Sequence, residues 1–252
     1  MNKKFRNEVQ ALFEKSKDKA PVSISEADLG ALPEPVQRYL RYAQVLDKES
    51  IRTVRLKQEG TFKTKPEQSW MPMVAEQYFT TDPPAFLWYG TITPFPFMTI
   101  SARDLYANGH GYMLVKLLSL FTLGNESGPN IDQGGAVRYL AEIAWFPTAW
   151  LSDYIQWEAI DSQSAKVTIS HEKIISSAVL NFDELGRITD LKAERYYGEQ
   201  MQHWSGKIEE YQEIGGILIP TKVEVTWNLP DGDFSYFRSE ITEIEFNCTT
   251  TF

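Results

Sequence analysis

Between Ile51 and Phe246 the chain reads as strand almost throughout, because apolar and polar positions alternate with a period near two. In the first half, segments 51–62, 71–80, 85–93, 98–106 and 112–117 carry this pattern, with Lys65-Pro66-Glu67 and Asp82-Pro83-Pro84 as breakers. Asn108-Gly109 has the preference for positive φ that a tight hairpin turn requires. In the second half, segments 154–160, 165–171, 173–182, 187–197, 203–214, 217–228 and 235–246 are divided only by short turn signals. No helical crossover fits between them, so successive strands are expected to pair antiparallel. The expectation is about eleven strands in two meanders, a number at which a twisted sheet curls or closes.

One stretch breaks the period of two. From Gly128 to Leu151 apolar residues recur at helical spacing: Val137, Leu140, Ala141 and Ala144 form one line, and Tyr139, Ile143 and Phe146 a second beside it. Asp132 is the expected N-cap and Pro147 the expected stop. Only the narrow stripe of Arg138 and Glu142 is polar, so this helix must be covered nearly all round and is expected to plug the curved sheet. Leu117 to Leu123 is apolar on every side and reads equally as buried strand or short helix, with a loop after it. Two further helices are expected at the N-terminus, one striped by Phe5, Val9, Leu12 and Phe13 and one opened by Pro33-Glu34-Pro35. The fold class is thus mainly β (α+β): a large curved antiparallel sheet or unclosed β-barrel in one domain spanning 1–252. Its parts are helices in 1–45, a meander over 51–117, a helical plug over 118–151 and a second meander over 154–247.

Composition narrows the function classes. A formal charge of -9 disfavours a nucleic-acid partner, which needs a basic patch against phosphate. The single cysteine, Cys248, forms no internal disulfide. No apolar run is long enough to cross a bilayer as a helix. Lys3, Lys4, Arg6, Lys15, Lys17 and Lys19 surround the first amphipathic stripe, so peripheral membrane contact through residues 1–19 stands beside the plainer reading of a helix docked on its own domain.

Catalytic signatures are missing from the sequence: it has no G-x-S-x-G, P-loop, G-x-G-x-x-G after a strand, or H-E-x-x-H. His110, His171 and His203 fall on separate turns and strand ends without zinc-ligand spacing, and Asp231-Gly232-Asp233 lacks the further oxygens of a calcium loop. No cofactor or metal is expected. The charges set in the most apolar surroundings are Glu76, Asp104, Asp132, Arg138 and Glu142. Arg138 and Glu142, four apart, fit a half-buried ion pair, or a polar site at a cavity mouth that holds a ligand head group. Phe79, Phe86, Trp88, Trp145, Phe146, Trp150, Trp157 and Trp204 fit either plain core or the lining of an apolar pocket.

Five stretches, Arg38 to Tyr42, Met71 to Phe79, Met113 to Leu118, the central helix and Asn228 to Phe234, together resemble an uncharacterised bacterial family known only as a domain of unknown function. The resemblance spans Pro35 to Asn247. It implies an initial membrane-spanning helix in many members, which this sequence lacks, leaving a soluble form and a trimmed chain both open. It also implies a glutamate where Gly135 stands here, a departure that weakens a catalytic role for an acid at that position. The architecture looks like the unclosed β-barrels of lipoprotein carriers such as LolA and LolB, which implies an apolar ligand beneath a helical lid.

The function expected from these readings is non-enzymatic binding of a lipid or other apolar molecule in a half-barrel lined by Phe79, Phe86, Trp88, Trp145 and Trp157, with Arg138, Glu142, Asp132 and Glu76 at its polar positions. Two alternatives remain: an enzyme using Asp132, Glu142 or Glu76 with Arg138, and a membrane-associated interaction module. The compartment and the oligomeric state are not legible.

Overall fold

Alternation becomes pairing along nearly the whole chain in the structure, a computed structural model that describes residues 3–16 and 22–252. The first meander comprises β1 (Thr53–Phe62), β2 (Met71–Thr81), β3 (Pro84–Phe95), β4 (Met98–Ala107), β5 (His110–Leu117) and β6 (Phe121–Ser127). The second comprises β7 (Ile155–Ala159), β8 (Ser164–His171), β9 (Ile174–Phe182), β10 (Ile188–Tyr197), β11 (Gln200–Ile214), β12 (Ile217–Leu229) and β13 (Gly232–Phe246). All thirteen form one antiparallel sheet in the order β6-β5-β4-β3-β2-β1-β13-β12-β11-β10-β9-β8-β7. The β1–β13 pair joins the two meanders, and β6 and β7 are the free edges. Asn108 and Gly109 turn the β4–β5 hairpin with φ of 51° and 75°, as that pair predicts.

The connection between the two free edges is α4 (Pro129–Glu142), continued by 3-10 turns at Ile143–Trp145 and Pro147–Leu151. It packs against β3, β4, β5 and β6 on one wing and β8, β9 and β10 on the other, so the mainly β class with a central helical plug holds. Two close approaches seat it. A Cβ on Gly111 would lie 2.4 Å from the Ile131 carbonyl oxygen, and one on Gly135 would lie 2.8 Å from Cδ2 of Tyr106. Tyr139 reaches through the core to the Thr80 carbonyl (3.1 Å) and to the Tyr154 hydroxyl (3.0 Å), which itself donates to the Thr81 carbonyl (2.6 Å). These bonds tie the helix to the β2–β3 turn.

α3 (Glu34–Tyr42), preceded by the short α2 (Glu26–Leu29), covers one pole of the inner face, where Tyr39 stacks on Trp150 at 4.5 Å. α1 (Lys3–Glu14) lies instead on the outer face. Its stripe of Phe5, Val9, Leu12 and Phe13 is buried with Tyr78, Ala85 and Leu87 in a second apolar cluster. Glu8 pairs with Arg103 at 2.8 Å. That packing takes up the apolar stripe which a membrane contact through residues 1–19 would need; Lys17 and Lys19 lie outside the described residues. The outer faces of β11–β13 are wet, with Lys222–Glu210 and Arg238–Glu224 pairs laddered across them.

Three expectations are corrected. The sheet has thirteen strands rather than about eleven: the twelve alternating segments all pair, and residues 121–127, read as a buried strand or short helix followed by a loop, add the edge strand β6. Its apolar residues Phe121 and Leu123 are exposed, so their apolarity marks neither a buried strand nor a helix. Asp132 is not the N-cap: Gly128 takes that place and Pro129 the first helical position, as proline's missing N–H allows. The α-helix also ends at Glu142, before Pro147, passing into 3-10 turns.

Candidate functional site

Strand parity fixes which side chains meet α4. On β1, β2, β3 and β4 the inward positions include Leu56 and Gln58, Ala75 and Gln77, Phe86 and Trp88, and Ala102 and Asp104. The helix turns Arg138 and Glu142 toward them. Arg138 Nη1 donates to Asp104 Oδ2 at 2.6 Å and Nε to Glu142 Oε1 at 2.8 Å. Gln77 Nε2 donates to the other Glu142 oxygen at 2.7 Å. The guanidinium lies over the rings of Phe86 (4.9 Å) and Trp88 (5.1 Å). Trp88 Nε1 in turn donates to Gln58 Oε1 at 3.1 Å, while Gln58 Nε2 is buried without a partner.

Burial alone would lower the Arg138 pKa, but the Glu142 and Asp104 charges outweigh it and the pKa is raised. Burial raises the Glu142 pKa, with Arg138 and Gln77 opposing. The constellation is therefore a cation clamped by two carboxylates, and neither Glu142 oxygen lacks a donor.

Across α4 lies a second arginine. Arg195, at an inward position of β10, places its guanidinium 4.8 Å from the Trp204 ring and 5.8 Å from Trp227. Its Nη2 would be 3.1 Å from a Cβ on Gly134, one turn before Arg138 on the helix. Among the described residues no carboxylate pairs with Arg195, and its Nε is buried without an acceptor. Trp204 is braced by its own bond to the Tyr236 hydroxyl at 3.1 Å.

Beyond the helix, toward the β3–β4 turn, the inner face carries Phe62, Ile100, Ala102, Val223, Val225 and Phe237, all packed on the core yet only half-buried. They leave an apolar trough of half-buried side chains on the inner face of the sheet. On its floor, between Trp204 and Ile208, a Cβ built on Gly206 meets no atom within 4 Å. Two other depressions lie away from the inner face. One of about 710 Å³ runs between α1 and β4–β5, and one of about 370 Å³ sits at the ends of β10–β12 beside His203.

DUF6544, a family of unknown function, matches residues 22–239. The chain belongs to that family. No curated protein matches it. Among solved structures, this DUF6544 chain is similar to a domain described as an outer membrane lipoprotein-sorting protein from Vibrio parahaemolyticus, at 12% identity over 78% of this chain and 86% of that one, with a TM-score of 0.45. It is also similar to a LolA superfamily protein from Nitrosomonas europaea, at 11% identity over 84% and 94% of the two chains, with a TM-score of 0.42.

The site residues named from the sequence of this DUF6544 member fall into five places. Arg138 and Glu142 meet in the constellation, joined by Trp88. Phe79, Phe86 and Trp145 are buried beneath α4, with Phe79 6.2 Å from each of the other two rings. Trp157 sits at the α3 pole, 4.7 Å from Trp150 and bonded to its carbonyl at 3.2 Å. Asp132 serves the helix start, accepting the Gly111 N–H at 2.7 Å with His110 Nδ1 at 3.3 Å. Glu76 points to the outer face, where the Tyr78 hydroxyl donates to it at 2.8 Å. Asp132 and Glu76 thus do not converge with Glu142. Gln58, Gln77 and Arg195 belong to the two arginine sites without being named from the sequence, and Trp204, named there only as a core or pocket aromatic, carries the second of them. Each has a legible signal: a polar or large amphipathic side chain at the apolar parity of its strand.

Proposed function

We propose that this protein binds an apolar molecule with an acidic head group, its chain along the half-buried trough and its head at Arg195. The observation that carries this reading is Arg195 itself, a guanidinium over two indoles, next to an apolar floor, without a carboxylate partner among the described residues. A half-buried cation leaves part of its hydration unreplaced unless an anion arrives, and a guanidinium suits the planar, two-oxygen geometry of a carboxylate or phosphate. Arg138 is already neutralised by Asp104 and Glu142, so it holds the helix in place and leaves the head group to Arg195. The empty direction at Gly206 supplies room beside Trp204. Phe79, Phe86 and Trp145 act in this reading as the core under α4, and Trp88 as the link to Arg138.

The test is titration of the full chain with oleic acid and with its methyl ester, read by quenching of tryptophan emission. The wild type is expected to bind the acid more tightly than the ester. Arg195→Gln should weaken the acid by roughly ten- to a hundredfold, the worth of a charged hydrogen bond, and leave the ester unchanged. Gly206→Leu, which fills the floor, should weaken both. Equal binding of acid and ester, or acid binding unaffected by Arg195→Gln, would remove the basis of the reading.

A further inference from the structure

The β3–β4 and β5–β6 hairpins end side by side, since β4 pairs with both β3 and β5 and the Leu118 N–H donates to the Thr99 carbonyl at 2.8 Å. Among the described residues their tips are the main concentration of exposed apolar side chains. Phe97 is fully exposed, Leu120 is 75% exposed, Phe95 66% and Phe121 63%, with Met98 and Leu118 between them. Single exposed apolar residues need no explanation, but two adjoining tips built from them do.

The backbone makes the choice of residues more pointed. Phe97, Leu118 and Ser119 have φ of 64°, 50° and 58°, in the left-handed region where glycine or asparagine is least strained. Bulky side chains kept at such positions and left in water serve neither the turn nor the core.

Charge points to the occupant. From Tyr89 to Ala102 and from Leu105 to Asn125, Lys116 is the only lysine, arginine, aspartate or glutamate, in a chain with 34 acidic residues and a net charge of -9. The neighbouring β1–β2 turn adds Lys63 and Lys65 against Glu67. A protein partner would require a broad patch with a polar rim and matched hydrogen bonds, which two narrow hairpin ends do not offer. A bilayer requires only apolar side chains that reach past the head groups, with no carboxylates among them. We infer that the paired tips of β3–β4 and β5–β6 insert into an anionic lipid surface and dock the protein on it, with Phe95, Phe97, Leu120 and Phe121 as the wedge. This docking does not depend on the ligand reading, and it uses a different face from the amphipathic α1, which is packed on the sheet.

The test is co-sedimentation of the full chain with vesicles of equal parts phosphatidylglycerol and phosphatidylcholine, and with vesicles of phosphatidylcholine alone. The wild type is expected on the anionic vesicles, more weakly on the neutral ones. The double variant Phe97→Ser with Leu120→Ser should lose roughly tenfold or more in partitioning, because two side chains no longer leave water. Both positions are exposed, so its thermal unfolding midpoint should match the wild type and separate lost docking from lost folding. In Phe97→Trp the indole emission should shift to the blue on anionic vesicles and be quenched by bromine-labelled acyl chains. Absence of wild-type binding to either vesicle, undiminished binding by the double variant, or self-association abolished by that variant in place of vesicle binding would each overturn the inference.

Discussion

Arg138→Met is expected to lower stability by about 3–5 kcal/mol, the cost of leaving a buried charge without its counter-charge. For a chain of this length that is a fall of roughly 6–20 °C in unfolding midpoint. The loss comes less from the two ion pairs than from what remains: Asp104 and Glu142 held near each other under α4, with only Gln77 donating to Glu142. The pH dependence identifies the cause. A carboxyl whose folded pKa lies above its unfolded value adds stability that is fully present below the unfolded pKa, near 4.5 for glutamate, and lost as pH rises through the folded pKa. Burial already raises the Glu142 pKa, and removing Arg138 takes away the strongest opposing influence. The variant's deficit should therefore be greatest at neutral pH and shrink on acidification toward pH 4.5. Adding Glu142→Gln to Arg138→Met should recover a large part of the stability at pH 7, since the neutral amide costs less to bury. Thermal unfolding of the three proteins across pH 4 to 8 checks this. A deficit that stays constant with pH would mean that lost packing against Phe86 and Trp88, rather than orphaned charge, is responsible.

That constellation also marks how far the sequence could be read. The strand pattern was legible because antiparallel neighbours joined by short turns leave little choice of topology, and the helix between the meanders was legible because it is apolar on two adjoining lines. Residues 121–127 were not, since Phe121 and Leu123 are apolar for a reason other than burial. Arg138 and Glu142 stood out as the charges on the one polar stripe of a covered helix. Gln58, Gln77 and Arg195 did not, although each occupies the same parity as Leu56, Phe79 and Leu191 on its own strand. A polar residue in an apolar register looks like ordinary variation until the opposing element is known. Only α4, laid across both wings, shows what Gln77 and Arg195 face. Glu76 is the opposite case: its apolar sequence neighbours suggested a shared site, yet one step of the pleat places it on the far face of the sheet from Gln77.

Gly60→Ala is expected to be the most damaging single methyl that can be added to the sheet, at about 3 kcal/mol or more. Gly60 pairs with Ser239, and a Cβ there would lie 2.0 Å from the Arg238 carbonyl oxygen and 2.8 Å from the Ser239 Cα. Both atoms are backbone, so no side chain can rotate away; the strands must part. The pair they belong to is the joint between the two meanders, two residues from the bulge beside Gln58. Parting it therefore loosens the one strand pairing that holds the wings to each other away from α4. Hydrogen exchange should show this as faster opening of Thr61, Phe62 and Phe237, with β8 and β9 little changed. Gly206→Ala is the matched control: a strand glycine facing inward, where the added methyl meets nothing within 4 Å. It should be neutral or stabilising by up to about 1 kcal/mol, through the reduced freedom of the unfolded chain. If Gly206→Ala destabilised as much as Gly60→Ala, the space beside Trp204 would not be open, and the trough would lose the room that a ligand chain needs.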